Sequence, residues 1–547
     1  MTIRPPAGDP KSEITLNIVG GNTFGRFPRI SNERTYNMIV SDDWLVDDAG
    51  YKKVIQTQYS GFGRKSYTSS RGNFMIQVIG NSVLRVSGPE NALNYQKIFS
   101  LNTFFGDVSI DENIAYQIAI CDGLDLWIYN WQTNTAATAT LPINTQTELP
   151  IVPGFVTFHD GYFIVADTSS AGAYLSPLNN GLGDWNWGSG GTAPVFITIQ
   201  TKPDYCEAAL RAPGKGSLIY LFGQNVTEMY NDVGGQLVPY QRNDSVSIDY
   251  GCVSSNTIAT MDEYVAFLGI NEKSGPVILI SRGGAFEHIS TDGIDFELAQ
   301  LVNPSKSSAF FTKIAGHVQY RITFTDPLDN YTLIYDFNTQ LFSYGTDENM
   351  NYHIAESVAF FNGTYYFVSF NDNCIYELNP DFTTYDYTNP AAGSPANIFI
   401  IPRMRNCINM ENQDASQFIG NSCTFLVDQG NDPYYKSSPL RYLTTESGKV
   451  LTTEHQPGYV GVFLSTELVL EPYAPRIDLS LSKDYGETFG SPYSKFLNPL
   501  GERKNRVIFW GLGIANGTTV QIRIYSKWHV AISNGLFSAR EREDTPG

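Results

Sequence analysis

The chain has 547 residues, 42% hydrophobic and only 17% charged, with 33 Tyr, 33 Phe and 48 Gly. That length exceeds one small core and requires two or three domains or one large repeat architecture. Its 55 Asp and Glu against 36 Lys and Arg give a net charge of −19, which excludes a chain-wide basic field for gripping nucleic acid. Aromatic and β-branched residues suit pleated surfaces, and Gly with Asn makes turns, so the composition predicts an all-β protein. Six cysteines, with no Cys-x-x-Cys pair, read as buried free thiols rather than a disulfide framework. No apolar run approaches the roughly 20 residues that span a bilayer. The start lacks a charged segment followed by an apolar core, so synthesis in a cytoplasm is expected.

Residues 1–23 read as a polar arm. Phe24–Tyr51 is aromatic and irregular, with Trp44 and Leu45 between acidic pairs, and reads equally well as a closing strand or a docking segment. Residues 1–55 are therefore expected to form an N-terminal arm and a docking or closing segment. From Asn73 onward, pairs of apolar runs meet at Gly80-Asn81, Asp122-Gly123, Asp160-Gly161 and Asn362-Gly363. Such dipeptides tolerate positive φ and are the strongest short hairpin signals. The stretch Pro239–Ser281 typifies the repeat: strands are expected at Ser254–Thr260, Tyr264–Gly269 and Pro276–Ser281. The unit recurs every ~40–50 residues, the period of propeller blades. Residues 56–388 are thus expected to form an irregular β-propeller of six or seven blades.

Weak helical signals lie only at Ile294–Val302 and Asp414–Ile419, and Tyr387–Pro395 reads as a linker. Residues 396–547 change texture. Strands at Ala396–Asn406, Cys423–Val427, Val460–Leu470, Arg476–Ser482, Arg506–Trp510 and Thr519–Tyr525 have sandwich-like spacing. Gln429–Gly458 is a long polar loop, a candidate for gating or distal attachment. The final residues from Leu536 read as a loose tail.

Catalytic signatures are missing. The six histidines have no metal-ligand spacing, and neither a nucleophile elbow nor a phosphate-binding loop occurs. Ser482–Phe489 fits the Asp-box pattern, a hairpin clamp found in sialidases and other propellers. Its Asp caps turn N–H groups and its Gly supplies positive φ, so the role expected is structural. Trp185, Trp187, Tyr434 and Tyr435 look exposed and suggest an alternative, a receptor- or glycan-binding propeller. A sialidase-like glycosidase is the remoter alternative, since it would need paired carboxylates on the blade ends.

The order of segments resembles the packaged-DNA-stabilisation, or tail-nozzle, family of short-tailed bacteriophages. The resemblance rests on Arg34–Met38 followed by Gly50-Tyr51, on Gly216–Tyr230, and on Tyr250-Gly251-Cys252 followed by Tyr264–Leu268. Late in the chain, Arg476–Gly490 and the basic Arg503–Arg506 extend it. It is spread over residues 30–530 through order and spacing, and the long loop Gln429–Gly458 departs from shorter members.

The resemblance implies a structural virion protein with no enzymatic activity and no cofactor, made in the host bacterium and placed in the tail. It implies a ring, expected as a hexamer, below the portal and its adaptor ring. That ring would extend the DNA channel, touch viral DNA only transiently, and anchor fibres, spikes or a needle. Expected interface residues are Tyr36, Trp44, Tyr51, Tyr434 and Tyr435.

Overall fold

A computed structural model describes residues 12–24, 32–144, 148–235, 238–391, 393–411, 418–429, 475–484, 486–497, 505–515 and 517–541. Seven antiparallel sheets of blade type follow one another around an axis. The first four blades are simple four-stranded meanders that begin at Gly63, Ser109, Pro153 and Cys206. In the fifth blade, Gly251–Cys252 and Ala259–Met261 both pair with Tyr264–Asn271. A short helix, Asp292–Leu298, then leads into the sixth blade, Ser307–Gly345. The seventh blade takes three strands from Ala355–Asn379 and its fourth, Gly50–Gln56, from the N-terminal segment.

Seven apolar clusters fill the seven gaps between neighbouring blades. Both faces of each middle strand are therefore buried, which is why Met75–Ile79 reads as a continuous apolar run rather than an alternating one. The ring closes where the first blade meets the seventh: Ser66 N–H donates to Ser357 Oγ at 3.1 Å, and Ser66 Oγ to the Ser357 carbonyl at 2.9 Å.

Turn chemistry matches the sequence. Asp160 and Gly161 take φ of 44° and 87°, and Asn362 and Gly363 take 50° and 87°, the consecutive positive values of a tight hairpin. The central meander differs from expectation at its first strand. Ser254 Oγ accepts from Asn256 N–H, and Thr257 Oγ1 donates to the Ser254 carbonyl at 2.7 Å. These local side-chain bonds compete with the ladder, so Ser255–Thr257 forms a 3-10 turn where a strand was expected.

The remaining strands form a two-sheet sandwich whose core includes Leu16, Met38, Leu45, Phe425, Leu479, Ile522 and Phe537. One sheet contains Ser12–Leu16, Met38–Ser41, Trp44–Asp47, Phe418–Gln429, Asn505–Ala515, Val530–Ser533 and Gly535–Glu541. The other contains Asn32–Tyr36, Arg403–Glu411, Arg476–Ser482, Tyr493–Phe496 and Gly517–Tyr525. It continues the sixth blade's sheet, because Asn32–Tyr36 pairs in parallel with Leu341–Gly345.

Two expectations change as a result. The polar arm supplies a strand, Ser12–Leu16, and the tail supplies its partner, Gly535–Glu541. The segment expected at 1–55 is also divided, its first strands joining the sandwich and its last one closing the propeller. Of the expected elements, Val460–Leu470 lies outside the described residues.

The Asp-box sits on the turn between Arg476–Ser482 and Tyr493–Phe496. Asp484 Oδ1 accepts from Thr488 N–H at 2.9 Å, Ser482 Oγ accepts from Gly486 N–H at 2.8 Å, and Gly486 has φ of 91°. Hydrogen bonds from the Ser482 hydroxyl, then from the Thr488 hydroxyl and amide, hold the Asp484 carboxyl down at about 2. A depressed carboxyl contributes stability that is present above its unfolded value and is lost as pH falls through its folded one. The clamp should therefore hold at pH 3 and release near pH 2. Asp484→Asn should speed exchange of the Thr488 amide while leaving global unfolding unchanged.

Candidate functional site

The innermost strands of the blades surround the propeller axis, and at one end polar side chains close it. Asn256, from the fifth blade, donates to Asp107 Oδ1 at 3.2 Å and to Glu356 Oε1 at 3.1 Å. Lys65 Nζ of the first blade lies 3.5 Å from the Asn256 amide oxygen. Asp107 stands in the loop before the second blade and Glu356 in the seventh, so groups from across the ring meet directly. No duplex can pass: the major groove of B-DNA alone is about 12 Å wide.

Arg64 braces the same end. It is 5% exposed and donates to the carbonyls of Gly80, Thr103, Phe105 and Gly106 at 2.8–3.1 Å. The loop so held presents Phe105, 71% exposed, to solvent beside Phe62 and Phe104.

Burial sets the electrostatics of the plug. It raises the carboxyls of Glu356 and Asp107, reinforced at Glu356 by Asp107, and lowers the Lys65 ammonium against the pull of both acids. A carboxyl raised on folding favours the native state most in acid, and that advantage declines as pH rises from 4.5 toward the folded value. Glu356→Gln should therefore flatten the fall in melting temperature above pH 4.5 and leave the midpoint at pH 7 equal to or above that of the parent.

The sequence-derived interface residues are placed differently. Tyr36 stacks on Tyr344 of the sixth blade, with centroids 5.1 Å apart, where Arg34 also pairs with Glu297 at 2.9 Å. It is half-buried and joins propeller to sandwich within the chain. Trp44 is half-exposed at the tip of the hairpin Met38–Asp47. Tyr51 is fully buried in the gap between the sixth and seventh blades, stacked on Tyr385 at 4.2 Å, which makes it a core residue with no surface to offer a partner. Tyr434 and Tyr435, with the rest of the loop Gln429–Gly458 except Gln429 itself, lie outside the described residues.

Of the aromatics that looked exposed, Trp185 is 1% exposed and donates to the Gly181 carbonyl at 3.1 Å, while Trp187 is half-buried against Tyr162. Both cover the edge of the third blade. Their polar N–H invites a surface reading, yet here a backbone carbonyl satisfies it.

The axial plug was not singled out from sequence. Its signal was nevertheless present: charged residues stand at or just before the first strands of the first, second, fourth and seventh blades, at Arg64-Lys65, Asp107, Glu207 and Glu356. A solvent-open cleft of about 590 Å³ lies between the fifth and sixth blades, lined among others by Arg282, Glu287, His288 and Tyr335. Among the described residues no cluster of three or more His, Cys, Asp or Glu could hold a metal ion. The five described cysteines are free and buried. No described helix is long and apolar enough to cross a membrane.

A search of curated proteins finds no match. Among solved structures, the extracellular domain of a one-component system from B. thetaiotaomicron superposes with a TM-score of 0.38 at 10% identity, over 60% of this chain and 40% of that one. The chain thus spans less than half of that protein's length. The WD40 domain of Neurospora crassa Pan2 gives a TM-score of 0.38 at 7% identity, over 63% of this chain and 97% of that one. The family model described as bacteriophage P22 Gp10, beta-propeller, matches residues 35–383, from the strand that joins sandwich to propeller through to the end of the seventh blade. With well over half of its length matched and the propeller in place, the chain belongs to the bacteriophage P22 Gp10 family, structural phage proteins that stabilise packaged DNA.

Proposed function

We propose that this protein is a building block of a tail nozzle, a ring of copies below the portal and adaptor that extends the DNA channel and retains the genome. The observation that carries the reading is the closed axis. A propeller plugged by Asn256, Asp107, Glu356 and Lys65 cannot itself conduct DNA. In a DNA-stabilising family, the conduit must then run between several copies. The chain's net charge of −19 suits a wall along which phosphate slides rather than binds.

In this reading the propeller is a rigid wedge whose exposed rims supply contacts to neighbouring copies, the adaptor ring, and fibres, spikes or a needle. The protein acts in the virion tail and catalyses no reaction. Of the described members of the expected interface set, Tyr36 and Trp44 are both partly exposed. The Tyr36 ring is already stacked on Tyr344 within the chain, which leaves Trp44 as the interface anchor.

Native mass spectrometry of the full chain mixed with portal and adaptor tests the proposal. A closed ring, expected as six copies on the adaptor, supports it. A monomer that ignores both partners overturns it. Trp44→Ala should weaken ring assembly at least tenfold with an unchanged melting temperature. The glycan-binding alternative has the cleft beside Tyr335 in its favour, and would show as saturable glycan binding by that monomer.

A further inference from the structure

The gap between the sixth and seventh blades differs from the other six in holding a cluster of buried hydrogen-bond donors without acceptors. Arg321 is fully buried, and its Nη2 donates to Asp48 Oδ1 at 2.7 Å and to Gln319 Oε1 at 2.6 Å. Its Nε and Nη1 have no partner among the described residues, nor do Gln319 Nε2, Thr312 Oγ1 and His353 Nε2. All four residues are at most 2% exposed.

They also stand together. Thr312 and Gln319 are directly opposite across the ladder, and Arg321 follows two residues along on the same face. His353 leads into the seventh blade and lies edge-on to Tyr51 at 5.4 Å; burial first, and then the nearby Arg321 guanidinium, depress its protonation. Because His353 Nδ1 accepts from the Ala355 N–H at 3.3 Å, the proton of the neutral ring sits on Nε2. Every unpartnered atom of the group is therefore a donor, or in the case of the Thr312 hydroxyl can be one. The buried acceptors left unpartnered among the described residues lie elsewhere, at Asn179, Glu228, Gln429 and Asp478.

Unmet buried donors cost about 1–3 kcal/mol each, so a group of this size calls for an occupant. A water would satisfy some donors but bring two hydrogens of its own into a place without free acceptors. We propose that the gap between the sixth and seventh blades binds a dehydrated monovalent anion of the halide class, held by Arg321, Gln319, Thr312 and His353. Neighbouring Tyr51, Phe310 and Tyr365 make the surroundings apolar, which favours chloride and bromide over strongly hydrated fluoride.

The test uses the full chain. Crystals soaked in sodium bromide should show an anomalous peak within hydrogen-bond reach of Arg321 Nε and Gln319 Nε2. In solution, the melting midpoint should rise by about 2 °C for each tenfold increase in chloride at constant ionic strength set with gluconate. Gln319→Leu should abolish that dependence; Thr312→Val serves if the first variant fails to fold. A site filled by water with no anomalous signal overturns the proposal. So does a midpoint that is the same in chloride and gluconate, or one that responds to chloride equally in the variant.

Discussion

Tyr51→Ala should destabilise the propeller by about 3–5 kcal/mol, the range for deleting a large ring from a packed core. Tyr51 sits on Gly50–Gln56, the strand that completes the seventh blade. It stacks on Tyr385 at 4.2 Å and meets Phe367, Tyr376, Tyr387 and His353 edge-on at 5.4–5.7 Å. Such edge-to-face contacts each add about 0.5–1.5 kcal/mol beyond area burial. The strand is also non-local, joining residue 51 to residues 378 and 385. Its loss leaves the seventh blade with three strands and opens the seam to the first. Tyr51→Phe keeps the rings and removes only the bond to the Tyr387 hydroxyl, for about 1 kcal/mol. Urea unfolding of the two variants separates the cases: equal midpoints would mean that the ring is sealed elsewhere.

The same residue shows what could be read from the sequence. Local chemistry was legible: Asp160-Gly161 and Asn362-Gly363 turn where their tolerance of positive φ allows, and Ser482–Phe489 clamps a hairpin as its pattern implies. The order of the meanders follows from such signals, because most are built from neighbours in sequence. The blade count stays at six or seven because the last blade borrows Gly50–Gln56 from the N-terminal segment.

What escaped was long-range pairing. Nothing near Ser12–Leu16 or Gly535–Glu541 announces that the two ends pair, since each strand is short and polar on one side. Tyr51 was read as an interface aromatic because an aromatic near a chain end suits a docking segment and a closing strand equally well. The axial plug escaped for a related reason. Lys65, Asp107 and Glu356 belong to different repeats and converge only when the ring closes.

Arg405→Met should cost about 3 kcal/mol or more, the scale for removing one partner from a buried charge network. Arg405 lies on Arg403–Glu411 in the sandwich and is 3% exposed. Its Nε donates to the Ile18 carbonyl at 3.0 Å, and its Nη1 to the Gly21 carbonyl at 2.9 Å and Thr35 Oγ1 at 3.1 Å. Its Nη2 forms an ion pair with Glu33. One guanidinium thus satisfies acceptors on two separate stretches of the N-terminal segment, and methionine fills the space without meeting any of them. Glu33 keeps 29% of its side-chain surface in water, which places the cost toward the low end of the 3–5 kcal/mol range. Lysine should not rescue, since a single ammonium cannot reproduce the planar fork. Hydrogen exchange locates the damage. Amides from Leu16 to Asn22 should lose protection while those of the first four blades keep theirs. The segment before residue 50 would then be held to the sandwich by Arg405 and to the propeller by Tyr51, two anchors that fail independently. A variant whose blades exchange as fast as its N-terminal segment would show instead that sandwich and propeller unfold as one unit.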